Sequence, residues 1–185
     1  MTRIPFHLTL HMVSSVDGYI ADKDNSVGWF ETTSDYPAGV TGEDPEAFLK
    51  TIDCYVMGSR TYEHALALSR DYGWAYGDKP TVVLTHRSLP KANEHVEFYN
   101  GDLSRLVNEQ LRPRFGHVWV AGGAITASEF ICLQLVDELR ISILPVLLGG
   151  GRSFFEPAAL AHSLTLLSAV AYRNGMVELR YAPRR

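Results

Sequence analysis

Cysteine is scarce: Cys54 and Cys132 are the only two in 185 residues, too few for the disulfide framework of a small secreted domain. Both lie in apolar segments, which predicts buried free thiols and a reducing compartment, the cytoplasm. No uninterrupted apolar run reaches the ~18 residues of a membrane span, and MTRIPFHLTLHMVSS lacks the basic-then-apolar order of a signal peptide. Positive charge is not in excess either. Seventeen Lys and Arg against 21 Asp and Glu leave a formal charge of -4, giving no pull toward nucleic acid or an anionic membrane. Any phosphate must then be held by a few placed groups. Two phosphate-binding motifs are missing as well: no Gly-x-Gly-x-x-Gly follows the first strand-like segment, and Gly149-Gly150-Gly151-Arg152 lacks the Lys-Ser/Thr ending of a P-loop. That triple glycine reads as a tight or mobile turn. His7 and His11 share a strand face without a third ligand, so no metal site is expected.

What is present alternates strand and helix signals. Residues 6–13 alternate with period two and read as a strand. Residues 44–51 read as a helix, with Asp44 as cap and Pro45 at the first turn. Short strands are predicted at 54–57, 81–85, 96–99 and 118–121, and a longer central one at 138–148. Helices follow at 59–68, 102–112 (capped by Asp102) and 125–135. Two strands, 164–173 and 176–182, flank Asn174-Gly175, a strong hairpin signal. The pattern predicts one α/β domain over 1–185, a mostly parallel sheet with helices on both faces and a C-terminal antiparallel hairpin.

Three strand ends carry small or hydroxylated residues where unpaired N–H groups of a following helix could meet a phosphate. They are Gly58-Ser59-Arg60-Thr61, Gly122-Gly123-Ala124-Ile125 and Thr85-His86-Arg87-Ser88. The last offers two hydroxyls and a guanidinium, suited to a phosphate monoester such as the 2′-phosphate of NADP.

These segments resemble a known superfamily. Val56-Met57-Gly58-Ser59-Arg60-Thr61-Tyr62-Glu63 is similar to the Met-Gly-x-x-Thr-Trp/Tyr-Glu segment of dihydrofolate reductases. Val83–Arg87 resembles their strand that ends at the adenosine 2′-phosphate, and Val118–Ile125 their pyrophosphate-contacting Gly-Gly segment. Ile20, Asp24, Asn25 and Trp29 fall at the spacing of the loop over the nicotinamide. Ser15-Val16-Asp17-Gly18-Tyr19-Ile20-Ala21, Gly122-Gly123-Ala124, Val136-Asp137-Glu138-Leu139 and Pro145–Gly149 more closely resemble the reductase domain of riboflavin biosynthesis and its stand-alone relatives.

The resemblance implies a dihydrofolate-reductase-like three-layer sandwich and an NADPH-dependent reductase of a small heterocyclic, carbonyl or imine substrate. It also implies a homodimer. The cofactor would meet Val13, Ile20, Ala21, Gly58, Ser59, Arg60, Thr61, Thr85, His86, Arg87, Gly122, Gly123, Ala124 and Ile125. The substrate would sit between Trp29 and the 44–51 helix, near Ser34 and Ala121. Asp17, Asp35 or a water held by Ser142 would supply the proton. Asp17 also reads as a turn residue bonding its own backbone, and Trp29 as a core anchor. Two positions depart from the families. Ser34 stands where dihydrofolate reductases place an acid, and Ala121 where the riboflavin-pathway reductases place Glu. The alternatives are a catalytically silent NADP-binding sensor or interaction module, dihydrofolate reductase itself, or 5-amino-6-(5-phosphoribosylamino)uracil reductase.

Overall fold

The period-two alternation at the N-terminus becomes strand β1 (His7–Ser15). It runs two residues beyond the predicted end because Ser14 and Ser15 are buried and pair with Ile143 and Leu144. The computed structural model describes residues 5–31, 35–40, 45–155 and 162–184. Strands β3 (Cys54–Gly58), β4 (Thr81–Leu84), β5 (Val96–Tyr99), β6 (His117–Val120) and β7 (Glu138–Leu144) run parallel with β1. The antiparallel pair β9 (Leu164–Ala171) and β10 (Val177–Pro183) completes an eight-stranded sheet of order β5-β4-β3-β6-β1-β7-β10-β9. A second, small sheet pairs β2 (Tyr19–Ala21) with β8 (Arg152–Ser153).

Side-chain alternation sends the two faces of the large sheet to different helices. Leu8, Leu10, Val56 and Val118 pack with Leu106, Val107, Leu111, Ala127 and Phe130. Those residues come from the π-helical segment Leu106–Leu111, which joins α3 (Leu103–Arg105) to α4 (Arg112–Arg114), and from α5 (Ala124–Cys132). On the opposite face Tyr55, Met57 and Val83 pack with Phe48 of α1 (Pro45–Thr51) and Tyr62 and Leu66 of α2 (Ser59–Tyr72). The result is the predicted three-layer α/β sandwich. The hairpin forms where Gly175 takes φ +80° and Asn174 Oδ1 accepts the Met176 N–H at 3.1 Å. Asp102 caps α3 as predicted, its Oδ1 accepting the Arg105 N–H at 2.8 Å, whereas the predicted cap Asp44 lies outside the described residues.

Several expectations are corrected. Helix α2 extends to Tyr72 and stops at Gly73, where φ is +78° and the N–H bonds back to Ser69 O. The strand predicted to reach residue 148 ends at Leu144: Pro145 has no N–H for the ladder, and the N–H groups of Leu148 and Gly149 go to the Asp17 carboxylate. Cys132 is exposed, as the last residue of α5. Cys54 is buried, and burial pushes its thiol up to about 12. The triple glycine is a backbone crossing and not a free turn. A Cβ on Gly151 would stand 2.1 Å from Ala21 O, so only glycine lets the two chains touch.

Candidate active site

Parallel pairing puts the C-terminal ends of β4, β3, β6 and β1 side by side along one edge. Adjacent strands β3 and β6 then feed α2 and α5, which pack on opposite faces of the sheet. Open α/β sheets bind ligands where two such helices part, at the carboxyl ends of the strands. Both helices start at glycine, Gly58 and Gly123, with no side chain capping either one. Their first-turn N–H groups therefore remain available, beside two positive dipole ends.

The two helix starts are locked together. Thr61 Oγ1 donates to Gly122 O at 3.3 Å. A Cβ on Gly58 would meet Thr126 Oγ1 at 2.7 Å, and one on Gly123 would meet Thr61 Oγ1 at 3.1 Å. Gly122 and Gly123 hold φ of +102° and +94°, values side chains rarely adopt. Thr126 carries no signal in the sequence beyond its place on the first turn of α5. These glycines let the first turns of α2 and α5 sit against each other, and the uncapped first-turn N–H groups beside them are the donor type that a diphosphate, as in the cofactor implied by the resemblance, takes.

On the flank, Thr85 Oγ1 accepts the Arg87 N–H at 3.0 Å, and His86, Arg87 and Ser88 are exposed. Arg87 Nη2 donates to Glu63 Oε2 at 2.6 Å, a partner missed from sequence although Glu63 lies three residues after Arg60 on α2. Arg60 is exposed on the first turn of α2, without a carboxylate partner among the described residues.

Toward β1, Val13 and Ala21 are half-buried, and Ile20 packs against the main core cluster. Ala121 is half-buried, with its N–H on Val56 O, and Ile125 is exposed. Trp29 lies on the 3-10 turn Gly28–Phe30, its indole N–H on Ser26 O at 3.2 Å and its ring edge-on to Phe30. Ser34 lies outside the described residues.

The three proton-donor candidates do not converge. Asp17 accepts hydrogen bonds from Ser15 Oγ at 2.6 Å, Leu148 N at 3.1 Å and Gly149 N at 2.7 Å. The Ser15 hydroxyl first, with the two amides, holds its carboxyl below the usual range. Through the two amides it ties the turn before β2 to the loop after β7. Asp35 is exposed next to Tyr36, whose N–H bonds Arg173 O on the β9–β10 turn. Ser142 lies near the C-terminal end of β7, two residues before Leu144. It is buried, and its Oγ lies 3.0 Å from His11 Nε2. His11 stacks on Trp119 and meets Phe48 edge-on. Burial, and then the neighbouring Arg140 charge, push the His11 imidazole down to about 3. The partners Trp119 and Ser142 lie more than a hundred positions from His11, so its place beside Ser142 has no local sequence signal.

Asp17→Asn is expected to lower the Tm and speed amide exchange at Leu148 and Gly149. The folded carboxyl is more acidic than the unfolded one, so its contribution is full above the ordinary Asp range and lost as pH falls through the folded value. The Tm gap between the two proteins should therefore close in acid, which a pH series of melting curves checks.

A family model for the RibD C-terminal domain matches residues 55–178. The uncharacterized protein YwjB of Bacillus subtilis is 30% identical over 172 residues, covering 93% of this chain and 95% of its own. Among solved structures, a candidate riboflavin biosynthesis protein of Shewanella sp. PV-4 superposes with a TM-score of 0.82 at 26% identity, over 97% of this chain and 100% of that one. Dihydrofolate reductase from Enterococcus faecalis, solved with NADP(H), gives a TM-score of 0.63 at 16% identity over 97% of each chain, a likeness of fold alone. Among the described residues no helix is long and apolar enough to cross a membrane.

Proposed function

This chain belongs to the RibD C-terminal domain family, and from that premise we propose that it is an NADPH-dependent reductase of a small heterocyclic, carbonyl or imine substrate. The observation that carries the proposal is the pair of uncapped glycine helix starts where α2 and α5 part, with Arg60 and Arg87 exposed on the flank. The pyrophosphate would lie on the N–H groups of Ser59–Thr61 and Ala124–Ile125. The 2′-phosphate would meet Arg60, Thr85, His86 and Arg87.

NADPH, when bound, supplies the hydride. The chain's own residues bind, orient and exclude water: Val13, Ile20 and Ala21 form the wall at the end of β1, and Trp29 and α1 bound the substrate side. Asp17 is held as an anion and Ser142 is engaged by His11, so the proposal assigns the proton to water.

Fluorescence titration of the purified chain with NADPH and NADH, followed by a screen of carbonyl and imine substrates for loss of NADPH absorbance, tests this. Saturable NADPH binding with turnover is expected. The tethering of Asp17 favours one second reading, a silent NADP-binding module, which tight binding without turnover on any substrate would support. Binding of neither nucleotide would contradict both. Arg87→Ala is expected to weaken NADPH about tenfold or more, since a charge-assisted contact to phosphate is lost. NADH, lacking that phosphate, should change less than about twofold. Equal loss for both would refute the assignment.

A further inference from the structure

The guanidinium assigned to the 2′-phosphate already has a carboxylate on it. Arg87 Nη2 lies 2.6 Å from Glu63 Oε2, across the gap between the loop after β4 and the first turns of α2. Glu63 lies on α2 one helical turn after Arg60, on the same side of the helix, and its carboxylate is engaged by Arg87. Both partners of the pair are substantially exposed, at 54% for Arg87 and 42% for Glu63. Water competes for such a pair, and it is weak enough to open.

Two consequences follow for a nucleotide at the helix starts. A phosphate monoester carries close to two negative charges near neutral pH. To reach Arg87 fully it must share or displace the Glu63 contact, and it then lies beside a like charge. A ribose bearing a free 2′-hydroxyl meets neither difficulty, since a carboxylate accepts from a hydroxyl. We propose that Glu63 is a specificity-determining residue that restrains the preference for NADPH over NADH, by occupying Arg87 and by placing a negative charge against the 2′-phosphate. The inference rests on the nucleotide reading of the helix starts given above.

The test is a set of dissociation constants for NADPH and NADH, with 2′,5′-ADP and 5′-AMP as competing probes that isolate the extra phosphate. Wild type, Glu63→Gln, Arg87→Ala and the double variant are compared, each checked for folding by circular dichroism. Glu63→Gln keeps the size of the side chain and removes its charge. It is expected to tighten NADPH and 2′,5′-ADP about five- to tenfold, and to leave NADH and 5′-AMP within about twofold. In the Arg87→Ala background the gain should fall to about twofold or less, because only the through-space repulsion remains. The gain should also shrink as salt is raised.

Unchanged or weaker NADPH binding in Glu63→Gln would overturn the inference, the weaker result marking Glu63 as an orienting support for Arg87. Wild type binding neither nucleotide would overturn the nucleotide reading itself, so the two failures are distinguishable.

Discussion

Replacing Gly123 by alanine is expected to lower the unfolding free energy by about 1–3 kcal/mol and to weaken NADPH at least about tenfold. Gly123 caps α5 at φ +94° and ψ 120°, a conformation that strains any L side chain. Its new methyl would also stand 3.1 Å from Thr61 Oγ1. That hydroxyl holds Gly122 O, so pushing it away separates the first turn of α2 from the Gly122-Gly123 segment. Strain and crowding can be told apart with Gly73→Ala. Gly73 also has a positive φ, +78°, but a Cβ there meets nothing within 4 Å. It should cost about 1 kcal/mol through the backbone and leave nucleotide affinity unchanged. Urea unfolding and NADPH titration of the two variants together check the expectation.

Arg140→Ala is expected to destabilise the fold by about 3–5 kcal/mol, because it strips a buried carboxylate of its counter-charge. Arg140 Nε lies 2.7 Å from Glu178 Oε2, with the two side chains only 8% and 4% exposed. The guanidinium also covers the Phe48 ring at 4.2 Å, which couples β7 and β10 to α1 and so to one wall of the proposed substrate site. For a chain of this size the loss corresponds to a Tm drop on the order of 10 °C. The paired replacement Arg140→Met with Glu178→Leu removes both charges and keeps the volume. It should recover most of the loss. A double variant as unstable as the single one would show that packing, not the unpaired charge, dominates.

The sequence carries some of these features openly and others not at all. Asn174-Gly175 was legible because the turn needs a positive φ, which Gly175 supplies, and a short side-chain acceptor, which Asn174 supplies. Gly58 and Gly122-Gly123 were legible for a related reason: small residues at the end of a β run mark places where backbone must be approached closely. The length of β7 was not, since the proline that ends its ladder gives no sign that Asp17 will claim the next free amides. The role of Gly151 was misread because its contact, Ala21 O, lies 130 residues back along the chain. His11 with Ser142 and Arg87 with Glu63 share that difficulty. Each pair is set by strand register or by how a loop folds over a helix, and no local pattern encodes the partner. The partners of the chemistry-bearing side chains were likewise hidden: the Leu148 and Gly149 amides that Asp17 accepts from, and the His11 imidazole beside Ser142.

The central claim is that the helix starts of α2 and α5 take NADPH across the ends of β4, β3, β6 and β1. Amide NMR of the isotopically labelled chain, titrated with NADPH, tests it most directly. The largest shifts are expected at Ser59–Thr61 and Gly122–Ile125, with a second group at Thr85–Arg87 that NADH leaves nearly unmoved. Saturable shifts confined to other parts of the chain, or none at all, would contradict it.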